Sequence, residues 1–257
     1  MSKVAQKSGA RALVLALAMS VALASAREAS AEENGVSASV DVAMFSAYIW
    51  RGQVINDEAV LQPSLTVEKN GLSINAWSSM NMTNRDDAQY DFSELDVTVS
   101  YARALGPITV EAALLSYTFP GPGQGAQGRE ACVSLSADVP AAPTVAVYYG
   151  FSGLEGIYAS LSVGHSLAFG QRYALDLEIT GGYGTNKYNA LYFGVAENRM
   201  NDVTATAAFS ATVTQSVTVT PVIQYAVIAD SKVADGARAI YGDDRKLVAG
   251  ISIGYAL

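Results

Sequence analysis

The feature that most constrains this chain is an alternation of apolar and polar residues that continues from residue 36 to residue 257. Apolar residues recur at every second position, in runs of about ten residues that are separated by turn-forming residues. Side chains alternate between the two faces of a β-strand, so this period predicts strands with one apolar face and one small, polar face. The last run shows the pattern, with Leu247, Ala249, Ile251 and Ile253 set against Gly250, Ser252 and Gly254.

About twelve such runs can be placed, and the connections between them alternate in length. The runs start near residues 36, 58, 71, 92, 108, 129, 144, 157, 172, 202, 217 and 245. The longest connections are expected at residues 83–91, 119–128, 185–201 and 230–244. Short periplasmic turns and long outer loops are typical of bacterial outer-membrane barrels. The sequence therefore predicts an all-β fold, a closed, up-and-down, antiparallel transmembrane β-barrel whose first and last strands pair.

A soluble secreted β-sandwich would also show alternation and regularly spaced turns. Its outward positions would be rich in charged residues, whereas only 16% of this chain is charged. Aromatic residues near the predicted strand ends are also expected in the two interfacial girdles of a barrel. These residues are Tyr48, Trp50, Tyr117, Phe119, Tyr173, Tyr183 and Tyr255. The apolar last residue, with Tyr255 two positions earlier, resembles the signal that the barrel-assembly machinery recognises, so this machinery and outer-membrane lipid are expected partners.

The amino end carries the features of a secretory signal peptide. Lys3, Lys7 and Arg11 precede an apolar run at residues 12–24, which is shorter than the roughly 20 residues of a membrane-spanning helix. We expect residues 1–26 to be removed after Ala26, and a second small-residue site would place the cleavage after Ala31. Residues 27–35 would then form a short periplasmic leader, and residues 36–257 the barrel, in the outer membrane of a Gram-negative bacterium.

The charge and the reactive side chains exclude several classes of function. The formal net charge is −8, and residues 1–26 contain three basic and no acidic residues, so the mature chain is more acidic still. Nucleic acid is therefore not an expected partner. Cys132 is the single cysteine and is expected to be a small buried residue. One histidine and one cysteine cannot build a metal site, and the glycine-rich stretches lack the lysine of a phosphate loop, so we expect no metal and no cofactor.

Three short motifs in residues 36–121 resemble a known family. They are Ser46-Ala47-Tyr48-Ile49-Trp50-Arg51-Gly52, then Glu94-Leu95-Asp96, then Tyr117-Thr118-Phe119-Pro120-Gly121. This combination resembles the TorF-like porin family, also called the Gcw_chp group. The resemblance implies that the first strand ends in the aromatic-Arg-Gly step, that a later strand opens with Glu-x-Asp, and that the function is passive transport across the outer membrane.

The alternation also predicts which charged residues face the lumen. Five of them are at strand positions whose side chains should point into the lumen, near the outer end of the barrel. They are Arg51, Glu94, Asp96, Glu130 and Lys246. They could form a ring that sorts solutes by charge, or a structural network of ion pairs that holds the wall, and both interpretations stay open. Within this group we expect Arg51 to pair with Glu94 or Asp96 through two hydrogen bonds.

The other lumen-facing charges are acidic, which favours the passage of cations. These residues are Asp41, Glu111, Asp138, Asp176 and Glu178. The function predicted first is therefore a porin-like channel for small hydrophilic solutes, with a preference for cations. The alternative is a plugged structural or adhesive barrel whose outer loops bind a partner. An enzyme is not expected, because His165 and Ser166 are adjacent on a strand and point to opposite faces.

Overall fold

A computed structural model of the chain describes residues 35–84, 88–120, 127–153 and 155–257. The expected signal peptide and the leader up to residue 34 lie outside the described residues, so both stay predictions. Within these ranges twelve antiparallel strands close into a barrel, which confirms the predicted fold class. The helices in this part of the chain are all too short or too polar to cross a membrane.

The strands begin within three residues of the predicted positions. In chain order the elements are β1 (Val36–Phe45), β2 (Tyr48–Trp50), β3 (Gln53–Asn56), β4 (Val60–Lys69), β5 (Leu72–Asn81), β6 (Phe92–Leu105), β7 (Ile108–Thr118), β8 (Gln127–Ala137), β9 (Thr144–Ser152), β10 (Gly156–Phe169), β11 (Tyr173–Gly184), α1 (Asn186–Phe193), β12 (Arg199–Thr212), β13 (Val217–Ile228), α2 (Ser231–Tyr241) and β14 (Arg245–Ala256). Strands β1 and β4 to β14 form the wall, and each pairs with its neighbour along the chain. The barrel closes where β1 pairs antiparallel with β14, with Ser39 opposite Ala256, as predicted.

The wall has an apolar outer face and a small, polar inner face. Large apolar side chains such as Leu161, Ile179 and Ile251 are exposed on the outside, each more than 40% accessible. Alternate residues of the same strands, such as Ser162 and Ser252, are buried inside. Exposed rows of this kind are unfavourable in water but match the hydrocarbon of a bilayer. The exposed His165 lies on this outer face, as its parity predicts.

The aromatic residues divide between the two faces, which corrects part of the expected girdles. Tyr173, Tyr183 and Tyr255 are exposed on the outer face, as girdle residues would be. Tyr48 and Tyr117, in contrast, are each only 4% exposed. Together with Trp50 and Phe119 they pack inside the barrel. Their position near strand ends gave no indication of this, because side-chain direction depends on parity and on the course of the loops.

The two ends of the barrel differ. One end, here the turn end, carries the short connections and both ends of the barrel segment. The other, here the loop end, carries the connections that follow β1, β5, β7, β9, β11 and β13. Three loop-end connections contain the additional elements, which are the β2–β3 hairpin (Tyr48–Asn56), α1 and α2. We call these three elements the plug.

The helices of the plug form for local reasons that the strand pattern did not reveal. The side chain of Asp230 accepts hydrogen bonds from the backbone N–H groups of Lys232 and Val233, which caps the amino end of α2. Val233, Ala234 and Ala237 lie on one face of α2 and are buried. These small residues allow a helix to pack closely at the mouth of the barrel.

Candidate functional site

The β2–β3 hairpin lies inside the lumen, because it contacts the wall on several sides. Tyr48 packs against Trp77 of β5, with ring centroids 5.6 Å apart. At the turn of the hairpin, Gly52 approaches Asp202 of β12 so closely that an added Cβ would lie 2.5 Å from the Asp202 Cβ. Gly52 also has a φ of 77°, so the Arg51-Gly52 step requires glycine on two grounds.

Arg51, at the tip of this hairpin, forms a two-pronged ion pair with Glu130 of β8. Arg51 Nη1 donates to Glu130 Oε1 at 2.9 Å, and Nη2 donates to Oε2 at 2.7 Å. The Arg51 and Glu130 side chains are 8% and 2% exposed, so the pair is shielded from solvent. The Tyr117 hydroxyl donates a third hydrogen bond, to Glu130 Oε2 at 2.8 Å. The partner carboxylate is therefore held in place by two independent groups.

Aromatic rings surround the guanidinium of Arg51. Its Cζ lies 4.4 Å from the ring centroid of Trp50, 4.2 Å from that of Tyr148 and 4.5 Å from that of Tyr158. The ring centroid of Tyr188, on α1, lies 6.0 Å from Arg51 Cζ. A cation is attracted to the faces of such rings, most strongly where water is excluded. We call Glu130 and these four aromatic residues the Arg51 cage.

The electrostatics keep Arg51 charged inside the cage. Burial by itself would lower the pKa of Arg51, but the Glu130 carboxylate together with Tyr188 and Tyr117 raises it by more, and the net pKa is well above the usual value for arginine. Buried ion pairs of this kind are costly to break, because the remaining charge is left without a partner. The cage therefore fixes the tip of the hairpin in the lumen.

Hydrogen bonds through Gln53 join the hairpin to both helices. Gln53 Nε2 donates to the Tyr188 hydroxyl of α1 at 3.3 Å, and the Tyr241 hydroxyl of α2 donates to Gln53 Oε1 at 2.6 Å. Gln53 is 1% exposed, and burial raises the pKa of Tyr241 to about 12, so the Tyr241 hydroxyl stays a donor. The two helices also touch directly, since a Cβ on Gly236 would lie 2.1 Å from the Phe193 carbonyl oxygen. The three plug elements thus form one connected unit.

The structure corrects the predicted partner of Arg51. Arg51 pairs with Glu130 and not with Glu94 or Asp96. The prediction placed Arg51 at the end of a straight first strand, whereas β1 ends at Phe45 and the aromatic-Arg-Gly step is the turn of a separate hairpin. The φ of 48° at Arg51 reverses the chain and directs the guanidinium toward β8, β9 and β10. Parity along β1 could not predict this turn.

The remaining members of the predicted ring lie in different surroundings. Glu94 and Asp96 open β6 as predicted, and both are buried, at 5% and 6% exposure. Lys246 is half-buried and lies 3.6 Å from Asp243, in the connection before β14. Of the predicted ring, Arg51 and Glu130 therefore form an ion pair, whereas Lys246 pairs with Asp243 instead.

The other predicted lumen carboxylates are spread along the barrel. Asp41 is 4% exposed inside the wall. Glu111, Asp176 and Glu178 are half-buried on the inner face. Asp138 is different, because β8 ends at Ala137 and Asp138 is exposed in the following turn. Asp138 is thus outside the set of lumen residues to which it was assigned.

Sequence reasoning missed several residues of the site. Asp202 is 2% exposed and accepts a hydrogen bond of 3.0 Å from the Tyr158 hydroxyl. Its parity with the lumen-facing Thr204 could have identified it, since a strand was predicted to start near residue 202. Tyr148 has the parity of Ala146, which is also buried, and was open to the same reasoning. Tyr188 lies on a helix within a predicted loop, and no periodic signal points to it.

Cavities remain in the lumen below the plug. One of about 100 Å³ is lined by aromatic and acidic side chains, including Trp77, Asp96 and Tyr117. Cys132, which is buried as predicted, also lines it. Another of about 360 Å³ lies at the turn end and is lined by Glu68, Glu111 and other residues. Thr98 of β6 lines both cavities. Among the residues that the structure describes, no group of histidine, cysteine and carboxylate side chains is placed to hold a metal ion.

Solved structures of other proteins share this architecture. The match to the KdgM porin covers 85% of this chain and 99% of the KdgM chain, with 13% identity and a TM-score of 0.53. The match to the NanC porin covers 85% of this chain and 100% of the NanC chain, with 14% identity and a TM-score of 0.53. The match to the COG4313 outer membrane channel from Pseudomonas putida F1 covers 88% of this chain and 97% of the channel's chain, with 8% identity and a TM-score of 0.51. At these identities the likeness concerns the fold alone, which is that of outer-membrane porins.

A search of curated proteins finds no significant match. A comparison with protein families matches residues 28–171, more than half of the chain, to a family described as "Bacterial protein of unknown function (Gcw_chp)". The matched segment contains the three motifs on which the resemblance rests, together with the tip of the hairpin and its partner Glu130. The chain therefore belongs to the Gcw_chp family.

Proposed function

We propose that this protein is an outer-membrane channel for small hydrophilic solutes, which is the function that the resemblance of its motifs to TorF-like porins implies. The observation that carries the proposal is a closed barrel with a lipid-compatible outer face and a polar, acidic inner face. Such a large apolar exterior would be unfavourable in water, and a path for hydrophilic solutes requires a polar lumen. The loop end would face the outside of a Gram-negative cell, after removal of the signal peptide and insertion by the barrel-assembly machinery.

The inner face supports a preference for cations. Asp41, Glu94, Asp96 and Asp202 are buried carboxylates of the wall, and Glu178 lines the cavity below the plug. Arg51 is a cation in the same region, but Glu130 neutralises it. The excess of negative charge should therefore attract cations and repel anions, as rings of carboxylates do in cation channels. The solute itself would need no covalent chemistry from the barrel.

One of the similar structures is a KdgM porin in complex with disordered oligogalacturonate, with 11% identity and a TM-score of 0.51. A barrel of this architecture can therefore admit a hydrophilic solute, which supports the same role here. The plug means that passage in this protein requires the hairpin and the helices to move. We propose that the state with the plug inserted is the resting state of the channel.

The experiment is a planar-bilayer measurement on the purified full-length barrel in a KCl gradient. We expect channel openings and a reversal potential of the sign that cation preference requires, which weakens as the salt approaches about 1 M, where the screening length is about 3 Å. Glu178→Gln should reduce the preference, and Asp138→Asn, at an exposed turn, serves as the matched control. Anion preference at low salt would contradict the proposal.

The inserted plug also favours a second candidate, a closed barrel whose outer loops bind a partner. In that case neither conductance nor uptake of sugars and amino acids into liposomes should be detectable, even when the plug hairpin is replaced by a flexible linker. Passage through the linker variant but not through the native barrel would assign the plug to gating.

A further inference from the structure

The cavity of about 100 Å³ below the plug contains a row of three residues that the function as a channel does not explain. Trp77 of β5 is directly opposite Asp96 of β6, and Asp96 is directly opposite Tyr117 of β7. All three line the cavity and are buried, at 8%, 6% and 4% exposure. Side chains at directly opposite positions on one face of a sheet lie within contact distance. A carboxylate thus stands between two aromatic rings.

Asp96 has an oxygen that is buried and unsatisfied. Among the residues that the structure describes, none donates a hydrogen bond to Asp96 Oδ1. A buried carboxylate without a partner is costly, so native proteins rarely leave one in this condition. The oxygen points to a missing positive or hydrogen-bonding group at this place in the lumen.

The donors around Asp96 are already in use by other carboxylates. The Tyr117 hydroxyl and both terminal nitrogens of Arg51 donate to Glu130. The Tyr48 hydroxyl is hydrogen-bonded to Glu94, and burial together with that carboxylate raises the pKa of Tyr48 well above its usual value. Among the residues that the structure describes, these donors are therefore engaged elsewhere, and Asp96 Oδ1 stays available to a ligand.

The chain itself shows which ligand chemistry this lumen accepts. Elsewhere in the same lumen, the Arg51 cage holds an organic cation between a carboxylate and the rings of Trp50, Tyr148 and Tyr158. Asp96, Trp77 and Tyr117 repeat the same combination of one carboxylate with aromatic faces, but no lysine or arginine of the described residues is paired with Asp96. Aromatic faces and a carboxylate are the groups that bind organic ammonium ions.

We propose that the cavity below the plug binds a small organic ammonium ion, with Asp96 as its counter-charge and Trp77 and Tyr117 as its aromatic walls. A compact ion with one positive centre fits this volume better than an extended solute. The inference rests on the proposed function and deepens it, because it names organic ammonium compounds as a class of solute that the channel selects. A bare metal ion is less suited, since no group of histidine, cysteine and carboxylate side chains among the described residues is placed to hold one.

The test is calorimetric titration of the full-length barrel in detergent with tetramethylammonium chloride, at constant ionic strength, and with tert-butanol as the uncharged probe of similar shape. We expect saturable binding of tetramethylammonium and none of tert-butanol. Asp96→Asn keeps the shape but removes the charge, and should weaken binding at least about tenfold. Trp77→Leu should weaken it several-fold, since it removes one aromatic wall.

Asp176→Asn is the matched control, because Asp176 is another carboxylate of the inner wall, half-buried, that does not line this cavity. It should bind tetramethylammonium like the native protein. Absence of saturable binding to the native barrel, equal binding of tert-butanol, or unchanged binding to Asp96→Asn would each overturn the inference. If the protein conducts in KCl but does not bind tetramethylammonium, the ammonium site is wrong and the channel function stands. If it binds tetramethylammonium but does not conduct, the site is supported and the channel function is wrong.

Discussion

Strand β6 of the wall and the β2–β3 hairpin of the plug both present polar side chains to the lumen, but they are held there in different ways. Strand β6 pairs along most of its length with β5 on one side and with β7 on the other, both of which adjoin it in the sequence. The hairpin pairs only with itself, through Tyr48 with Asn56, Ile49 with Val54, and Trp50 with Gln53. The rest of its attachment consists of side-chain contacts.

Those contacts join residues that are far apart in the chain. Arg51 and Glu130 are separated by 79 positions, Gln53 and Tyr188 by 135, and Gln53 and Tyr241 by 188. The backbone ladder of the wall does not depend on any of them, since its hydrogen bonds are between neighbouring strands. Release of the plug would therefore break side-chain contacts, whereas opening of the wall would break a complete ladder of backbone hydrogen bonds.

Removing the hairpin should change the conductance of the protein most. Replacing residues 48–56 by a Gly/Ser linker of the same length should leave the wall folded, because none of its strand pairs involves these residues. Single-channel conductance should rise several-fold, since the hairpin no longer occupies the lumen. Folding is checked by the heat-dependent shift of the barrel on a denaturing gel. Ile55→Ser, at a hairpin residue that is 37% exposed, is the control and should leave the conductance unchanged. A linker variant that fails to fold would show that wall and plug are not separable.

The same difference explains how much of the molecule could be predicted from the sequence. A strand imposes a period of two, so the wall, its closure and the burial of Asp41, Glu94 and Glu130 follow from parity. The plug has no such period. The turn at Arg51 depends on its positive φ and on the aromatic rings that surround it, and these rings come from β9, β10 and α1. Contacts of that range are set by the folded barrel and leave no local pattern in the sequence.

A smaller effect is expected from the Arg51 cage alone. Arg51→Ala leaves Glu130 buried without its partner, which should lower the free energy of unfolding by about 3 kcal/mol. It should also make channel openings more frequent, because the tip of the hairpin is released. Arg51→Lys should restore only part of the native behaviour, since an ammonium cannot make the two parallel hydrogen bonds of a guanidinium. Urea titration of the folded barrel and bilayer recordings give the two readouts.

Arg129→Ala provides the control for the cage, because Arg129 is the neighbour of Glu130 on β8 but its side chain is exposed. It should change neither the unfolding free energy nor the frequency of openings by a measurable amount. Equal effects of Arg51→Ala and Arg129→Ala would mean that the cage does not hold the hairpin. An effect of Arg51→Ala on stability without one on conductance would assign the cage to the wall instead of to the plug.

A still smaller effect is expected at the outer surface of the plug, where the Glu197 side chain joins α2 to β12. Glu197 accepts a hydrogen bond of 2.7 Å from Lys232 of α2 and is also paired with Arg199. The hydrogen bonds from Lys232 and Arg199 lower the pKa of Glu197 from 4.5 to about 2. Because the folded pKa is the lower one, the stabilisation is complete above about pH 4.5 and is lost as the pH falls toward about 2. The exposure of the site keeps the effect small.

Hydrogen exchange of the α2 amides measures this contribution directly. In the native protein their protection should decrease between about pH 4.5 and 2, after correction for the intrinsic exchange rates. In Glu197→Gln the protection should already be lower at neutral pH and should change less over the same interval, because the titrating carboxylate is gone. Glu155→Gln, which removes a looser pair of 3.5 Å with the exposed Lys187 of α1, should behave like the native protein. If protection of α2 is equally pH-dependent with and without the Glu197 carboxylate, other carboxylates such as the capping Asp230 cause the dependence, and Glu197 does not hold the helix.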